Sequence, residues 1–383
     1  MHRLGPIETW SRDGPKGYIL EVDVCYPLYL HDQHNDLPFL CEKATPPGGR
    51  VSKLMCTLND KTKYVVHYRA LQQALEHGLL VTKLHRVICF SQMPWMRSYV
   101  NENTERRKMA TNKAESDAQK LYNNAAYGKT LENKRNRIKL NLVSDQYKLM
   151  KLIASPRFLD RTVLNDNLVS VIRSYKEVEL DKPIYVGLTV LDLSKLLMYE
   201  FHYDKMVKWF GRKNVSLMYM DTDSFVYEIK SNDLVRDLML HKDEFDFSNY
   251  PSDHPLYDVK NDKVLGKMKD ELGGKRLTRF VGLRPKSYAM DIEGFEIKKA
   301  KGVGRAAVKK RLHFDDYLRC LNEGTTLMAS FSRIVSNQHI ITTVDQRKLA
   351  LSPFDDKRYV IPNSFSTMAH GHYRIDLDED QLD

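Results

Sequence analysis

Apolar residues fall into short runs separated by Gly, Pro and charged clusters, and their spacing switches several times between strand-like and helix-like. Residues 1–16 are polar and broken by Gly5-Pro6 and Gly14-Pro15. Gly17 to Tyr26 predicts a strand, closed by Pro27. Residues 41–63, with Pro46-Pro-Gly-Gly49, predict a loop. Tyr64–Tyr68 predicts a short strand and Ala70–Gly78 a helix with a glycine cap. Leu79–Phe90 predicts a strand whose His85 reads as packed or solvated. From Tyr99 to Asn133 the spacing predicts two antiparallel helices, the first basic and solvated, the second covering Ala114 to Thr130. Mixed short elements follow over 134–180, behind the basic run Lys134-Arg-Asn-Arg-Ile-Lys139. Ile184–Leu191 predicts a strand, and Asp192–Phe210 a helix that offers Leu196, Leu197, Tyr199 and Tyr203 for packing. Met218–Tyr227 predicts a β-hairpin with the polar tip Asp221-Thr222-Asp223-Ser224. Residues 264–290 alternate strands and turns and are rich in Lys and Arg. The acidic loop residues Asp243, Glu244, Asp246 and Asp253 read as structural. Interleaved strands and helices of this kind define an α+β chain.

Two stretches carry candidate chemistry. At the hairpin tip, Asp221 and Asp223 are two residues apart and their carboxylates repel one another unless a divalent cation lies between them. An Asx-type turn with two aspartates is the plainer reading of the same letters. On the second predicted helix, Lys120, Asn124 and Tyr127 fall at i, i+4 and i+7 and so share one face. An amine, an amide and a phenol make a poor core face and a suitable wall for a nucleotide: ammonium to triphosphate, amide to sugar or phosphate, ring to base. Gly128 beside them leaves room for a backbone or base pair to approach.

Tyr219-Met-Asp221-Thr222-Asp223-Ser224 resembles motif C of the family B DNA polymerases. Lys120-Leu-Tyr-Asn-Asn124-Ala-Ala-Tyr127-Gly128 resembles their motif B, with Ala125 where Ser is usual, and the order of the two motifs also matches. Lys286-Ser-Tyr288 resembles the Lys-x-Tyr motif that holds the primer terminus. Leu30-His-Asp-Gln-His-Asn-Asp-Leu-Pro38 resembles a segment that follows motif A in the protein-primed polymerases of mobile elements, linear plasmids and related viruses. The resemblance runs from about Gly17 to Tyr373. It implies a right-hand fold, with an antiparallel palm sheet and its helices, helical fingers and a small thumb.

On that reading residues 1–97 are palm-associated and follow motif A, 98–133 are the fingers and 134–180 an insertion. Residues 181–292 are the palm with motif C, 293–375 a thumb-like region and 376–383 an acidic tail. The implied activity is DNA-directed DNA polymerisation by two Mg²⁺ ions (Mn²⁺ as an alternative), held by Asp221 and Asp223 with Asp223 the more direct ligand. Lys120, Asn124, Tyr127 and Gly128 would bind the nucleotide. Thr222, Lys286, Tyr288, Lys298, Lys299 and Lys301 would bind primer and template, and a terminal protein is a candidate primer.

The family also needs a motif A aspartate. Aligning on Tyr26 puts Glu21 in its place, and Asp23 is two positions out of register. The motif A strand is therefore expected upstream of Met1, so that the chain is N-terminally truncated. Glu21 or Asp23 could replace it only if their strand ran beside the 218–227 hairpin. No exonuclease pattern precedes these motifs, and Asp291-Ile-Glu293 reads as structural.

Composition narrows the picture without deciding it. The chain has 383 residues, enough for two or three domains, and a net charge of +10 that suits a polyanionic partner. Lys298 to Arg311 holds seven basic residues and no acidic one, as suits phosphate contact without sequence readout. Five dispersed cysteines point to a reducing, intracellular compartment, nucleus or mitochondrion alike, and away from a disulfide framework or zinc site. No apolar run is long enough to span a membrane. A catalytically silent DNA-binding remnant of such a polymerase is the alternative reading.

Overall fold

The computed structural model describes residues 7–337 and 340–375. Its first core forms around β1 (Lys16–Cys25), which lies between β2 (Lys61–His67) and β3 (Leu80–Ser91) in an antiparallel sheet. Alternation along a strand sends Leu20, Val22 and Val24 to one face, where they are buried with Leu71 and Ala74 of α1 (Tyr68–Glu76). The intervening Glu21 and Asp23 fall on the opposite face. Glu21 pairs with Arg86 (2.5 Å), and Asp23 lies 2.8 Å from His85 and accepts the Lys63 N–H.

Helix α2 (Arg97–Met109) and helix α3 (Lys113–Thr130) lie against each other as expected, tied by Asn103, which donates to Asn123 at 2.9 Å. Residues 134–180 fold into an antiparallel sheet of β4 (Ile138–Val143), β5 (Phe158–Asn165) and β6 (Leu168–Ser174), with α4 (Gln146–Ile153) on it. Part of the basic run before them is neutralised: Lys134 pairs with Asp181 and Arg137 with Glu132.

The strand expected over Ile184–Leu191 is instead the first half of helix α5 (Ile184–Tyr199), which continues through a π-helical turn (Glu200–Met206) to Phe210. The β-branched and aromatic letters there suit a strand, but non-local packing overrides them. Gly187 lies against Leu131, so closely that a Cβ would meet that side chain at 2.2 Å. Asp192 is buried and accepts the His67 N–H at 3.0 Å, which fixes the helix to the end of β2.

From there the chain enters the hairpin of β7 (Val215–Asp221) and β8 (Ser224–Ile229). Leu217, Met220 and Phe225 pack on the first core. Tyr227 stacks on His202 of the π-turn, their ring centroids 5.8 Å apart. The hairpin forms a two-stranded sheet of its own, and among the described residues no strand pairing joins it to β1. Its apolar side chains pack on the face of β1 that carries Leu20, Val22 and Val24, opposite the face of Glu21 and Asp23.

A second core lies under the sheet of β9 (Leu277–Arg284), β10 (Ser287–Ile292) and β11 (Phe295–Lys299). There α6 (Arg305–Arg311) and α7 (Phe314–Glu323) bury Val308, Leu312, Phe314 and Tyr317 with the base of a long hairpin, β12 (Leu327–Asn337) and β13 (Ile340–Leu351). The last strand pair, Arg358–Val360 and Thr367–Ala369, returns to the first core. Arg358 donates to the Asn35 carbonyl, and Asn35 Oδ1 accepts the Ala369 N–H. The acidic tail expected over 376–383 lies outside the described residues. No helix among the described residues is long and apolar enough to cross a membrane.

Candidate active site at two facing turns

The tip of the β7–β8 hairpin and the tip of the β9–β10 hairpin meet. Asp221 pairs with Ser224 across β7 and β8, which leaves Thr222 and Asp223 as a two-residue loop. Such a loop needs positive φ at its first residue, normally a glycine, yet Thr222 stands there at φ +58°. A β-branched residue in that region is strained by roughly 1–3 kcal/mol, a cost found chiefly at functional sites. Local hydrogen bonds hold the turn: the Asp223 N–H donates to the Asp221 carbonyl at 2.6 Å, and the Ser224 hydroxyl donates to the same oxygen at 3.2 Å. Thr222→Gly is expected to relieve the strain and raise stability by about 0.5–1 kcal/mol in urea unfolding. An unchanged or lower midpoint would mean the strain is not there.

The facing turn is Pro285-Lys286, closed by the pairing of Arg284 with Ser287. Proline presets its first position, and Lys286 occupies the second at φ +62°, where Gly or Asn is usual. Its backbone N–H donates to the Tyr219 hydroxyl at 2.9 Å. Its ammonium sits on both oxygens of the Asp221 carboxylate, at 2.9 and 2.7 Å. The Asp221 carboxylate in turn raises the Lys286 pKa. Beneath the contact, the rings of Tyr219 and Tyr288 lie 4.7 Å apart with Phe280 beside both, and burial raises both phenols. Asp223, by contrast, is exposed, and its carboxylate makes no hydrogen bond or ion pair among the described residues.

The structure therefore brings together Asp221, Thr222, Asp223, Lys286 and Tyr288. It adds two side chains given no role in the sequence reading, Tyr219 and Phe280. An aromatic two residues before an Asp-x-Asp tip is the available signal for Tyr219; nothing local marks Phe280.

The residues expected to form a nucleotide wall lie on a different element, α3. Lys120, Asn124 and Gly128 are exposed and Tyr127 half-buried on α3, a helix capped by Asn112 and packed on α2 and α5. The Lys120 and Asn124 side chains have no hydrogen-bond or salt-bridge partner among the described residues, and a Cβ on Gly128 would meet nothing within 4 Å. No hydrogen bond or ion pair links this stripe to the two turns. Of the basic candidates, Lys299 and Lys301 are exposed, and Lys299 lies opposite Tyr288 between β10 and β11. Lys298 is turned inward, with its side chain 10% exposed and held by Glu296 at 2.8 Å.

Carboxylate oxygens are the donors a hard divalent cation takes, and Mg²⁺ is commonly held by one or two of them with waters and substrate phosphates completing the shell. Asp221 and Asp223 fit that pattern in kind. No group of three or more His, Cys, Asp or Glu side chains converges for a metal among the described residues.

No protein-family model matches the sequence, and no curated protein matches it. The fold resembles that of Phi29 DNA polymerase, solved in complex with primer-template DNA and incoming nucleotide substrates. The TM-score is 0.57 at 14% sequence identity, over 90% of this chain and 52% of that one. A second structure of that polymerase, with primer-template DNA alone, matches over the same shares with a TM-score of 0.48. The chain thus spans about half the length of the polymerase it resembles.

Proposed function

We propose that this chain is the polymerising part of a protein-primed family B DNA polymerase from a mobile element or virus-like replicon, adding deoxynucleotides to a primer 3′ hydroxyl. The observation that carries this reading is the pairing of the Asp221-Thr222-Asp223 turn with the Pro285-Lys286 turn, inside a fold like that of a DNA polymerase.

In this reading Asp223 presents an open carboxylate to a divalent cation, and Asp221 joins it when Lys286 moves. Bound Mg²⁺ would supply activation of the primer hydroxyl and neutralisation of the departing pyrophosphate. Tyr288 and Lys286 hold the primer terminus, with Tyr219 fixing the angle between the two turns. Thr222, Lys299 and Lys301 face the duplex; Lys298 would have to leave Glu296 to do so. Lys120 and Asn124 take the triphosphate, Tyr127 lies along the base, and the space over Gly128 admits the nascent pair. The protein's share of the rate is positioning and charge neutralisation, since little covalent chemistry falls to it.

Replacing Lys120 with Ala is expected to raise the nucleotide KM, or lower kcat, by about tenfold without weakening duplex binding. Steady-state kinetics beside fluorescence anisotropy separate the two effects, and unchanged nucleotide kinetics would refute the assignment.

A second reading, a DNA-binding chain with no catalysis of its own, is favoured by one observation. Glu21 and Asp23, the candidates for a third carboxylate, are engaged by Arg86 and by His85 and Lys63 on another sheet. Primer extension by the 383-residue chain with Mg²⁺ and four nucleotides, beside Asp223→Asn, separates the two. Incorporation that vanishes in the variant supports the enzyme. Duplex binding without incorporation supports the second reading.

A further inference from the structure

We propose that Lys286 is a built-in counter-ion that withholds Asp221 from divalent cations until a phosphate draws it away, so that cation binding and nucleic-acid binding at this site are coupled. The inference rests on the polymerase reading of the two turns and adds to it how the site is regulated.

Three features carry it. The ammonium spans both Asp221 oxygens, so it occupies the side of the carboxylate that a cation would use. The neighbouring Asp223 carboxylate, two residues away, pairs with no basic side chain among the described residues. A cation arriving alone therefore finds one open carboxylate and one already neutralised, and the ammonium also repels it. Finally, the backbone of Lys286 is anchored separately from its side chain. The N–H is held by Tyr219 and the turn is preset by Pro285, so the four-carbon stem can swing while the turn stays put.

Lys286 is 60% exposed at its side chain, so the ammonium is free to exchange Asp221 for an anion offered from solvent. In a groove that takes nucleic acid, that anion is a phosphodiester. Moving the ammonium onto a phosphate releases Asp221 for a cation, and by reciprocity a cation on Asp221 raises the affinity for the phosphate. On this account Lys286 touches the phosphate directly and governs the cation through Asp221.

The test is Mn²⁺ binding, followed by electron paramagnetic resonance and calorimetry, for the wild-type chain, Lys286→Met, and the double variant Asp221→Asn/Asp223→Asn as baseline. Each is measured with and without a primer-template duplex. Met keeps the stem and the backbone N–H, and thermal unfolding checks that the turn survives. The wild type is expected to bind Mn²⁺ on the order of tenfold more tightly with duplex than without. Lys286→Met is expected to show the tighter affinity from the start and to gain nothing further from duplex. Equal Mn²⁺ affinity in Lys286→Met and wild type, both above the baseline, would overturn the counter-ion while leaving the metal site standing. Binding no better than baseline in both would overturn the metal site itself.

Discussion

Asp223→Asn is expected to abolish metal-dependent nucleotide incorporation, by on the order of 10³-fold or more, while duplex binding and thermal stability stay at wild-type level. The two halves of that expectation come from the same geometry. Asp223 is exposed and its carboxylate has no partner among the described residues, so an isosteric amide removes no contact seen there and stability should move by less than about 0.5 kcal/mol. The amide also removes the one negative charge at the tip that no protein cation already neutralises. Asp221 is a poor substitute because Lys286 covers both its oxygens. The reciprocal variant Asp221→Asn should behave differently, since it also releases Lys286 and loosens the link between the turns, costing some stability as well as activity. Primer extension, anisotropy with a labelled duplex and a melting curve report the three quantities. Incorporation retained in Asp223→Asn would remove it from the site. A parallel loss of duplex binding would make it a DNA contact instead of a metal ligand.

What the sequence made legible was local. The hairpin at 215–229 could be read because an apolar run, a polar tip and a second apolar run lie within fifteen residues. The stripe on α3 could be read because helical periodicity puts Lys120, Asn124 and Tyr127 on one face wherever the helix goes. The contact that defines the site could not. Lys286 and Asp221 are 65 residues apart, and only the shape of two turns, each carrying a non-glycine residue at positive φ, brings them together. The same limit explains the misreading of Ile184–Leu191. Its β-branched letters suit a strand, and Leu131, which packs against Gly187, lies more than fifty residues away. The return of Thr367–Ala369 to the first core, fastened by Asn35, is likewise a contact across most of the chain.

Lowering the pH from 7 to about 4.5 is expected to destabilise the chain strongly, through three histidines that the fold keeps neutral. Burial pulls His34 and His202 down to about 3 and His67 to about 4. Each sits among aromatic neighbours: His34 bonds the Tyr26 hydroxyl at 2.8 Å, His202 bonds that of Tyr227 at 3.1 Å, and His67 packs on Tyr68. In the unfolded chain all three titrate near 6.5. Above that value neither state binds the proton and the histidines contribute no pH dependence. As pH falls below 6.5 the unfolded state takes up protons that the folded state refuses, so stability declines until the folded values are reached. Well inside that window each histidine contributes a slope of about 1.4 kcal/mol per pH unit, and the three together about 4. Between pH 6.5 and 4.5 the loss reaches about 8 kcal/mol, enough to unfold a chain whose total lies in the lower half of the roughly 5–15 kcal/mol usual for a folded protein. Asp192 works in the opposite sense, because burial raises its carboxyl, but it begins to offset the loss only near its own titration. Urea unfolding at pH 7, 6 and 5 measures the slope, and His202→Gln should flatten it by about one third while lowering stability at pH 7. Stability constant across that range would show that the histidines are hydrated or paired in ways the packing does not allow. Because His202 grips Tyr227 of β8, the hairpin that carries Asp221 and Asp223 is directly fastened to one of these acid-sensitive groups. Loss of cation binding should therefore accompany acid unfolding.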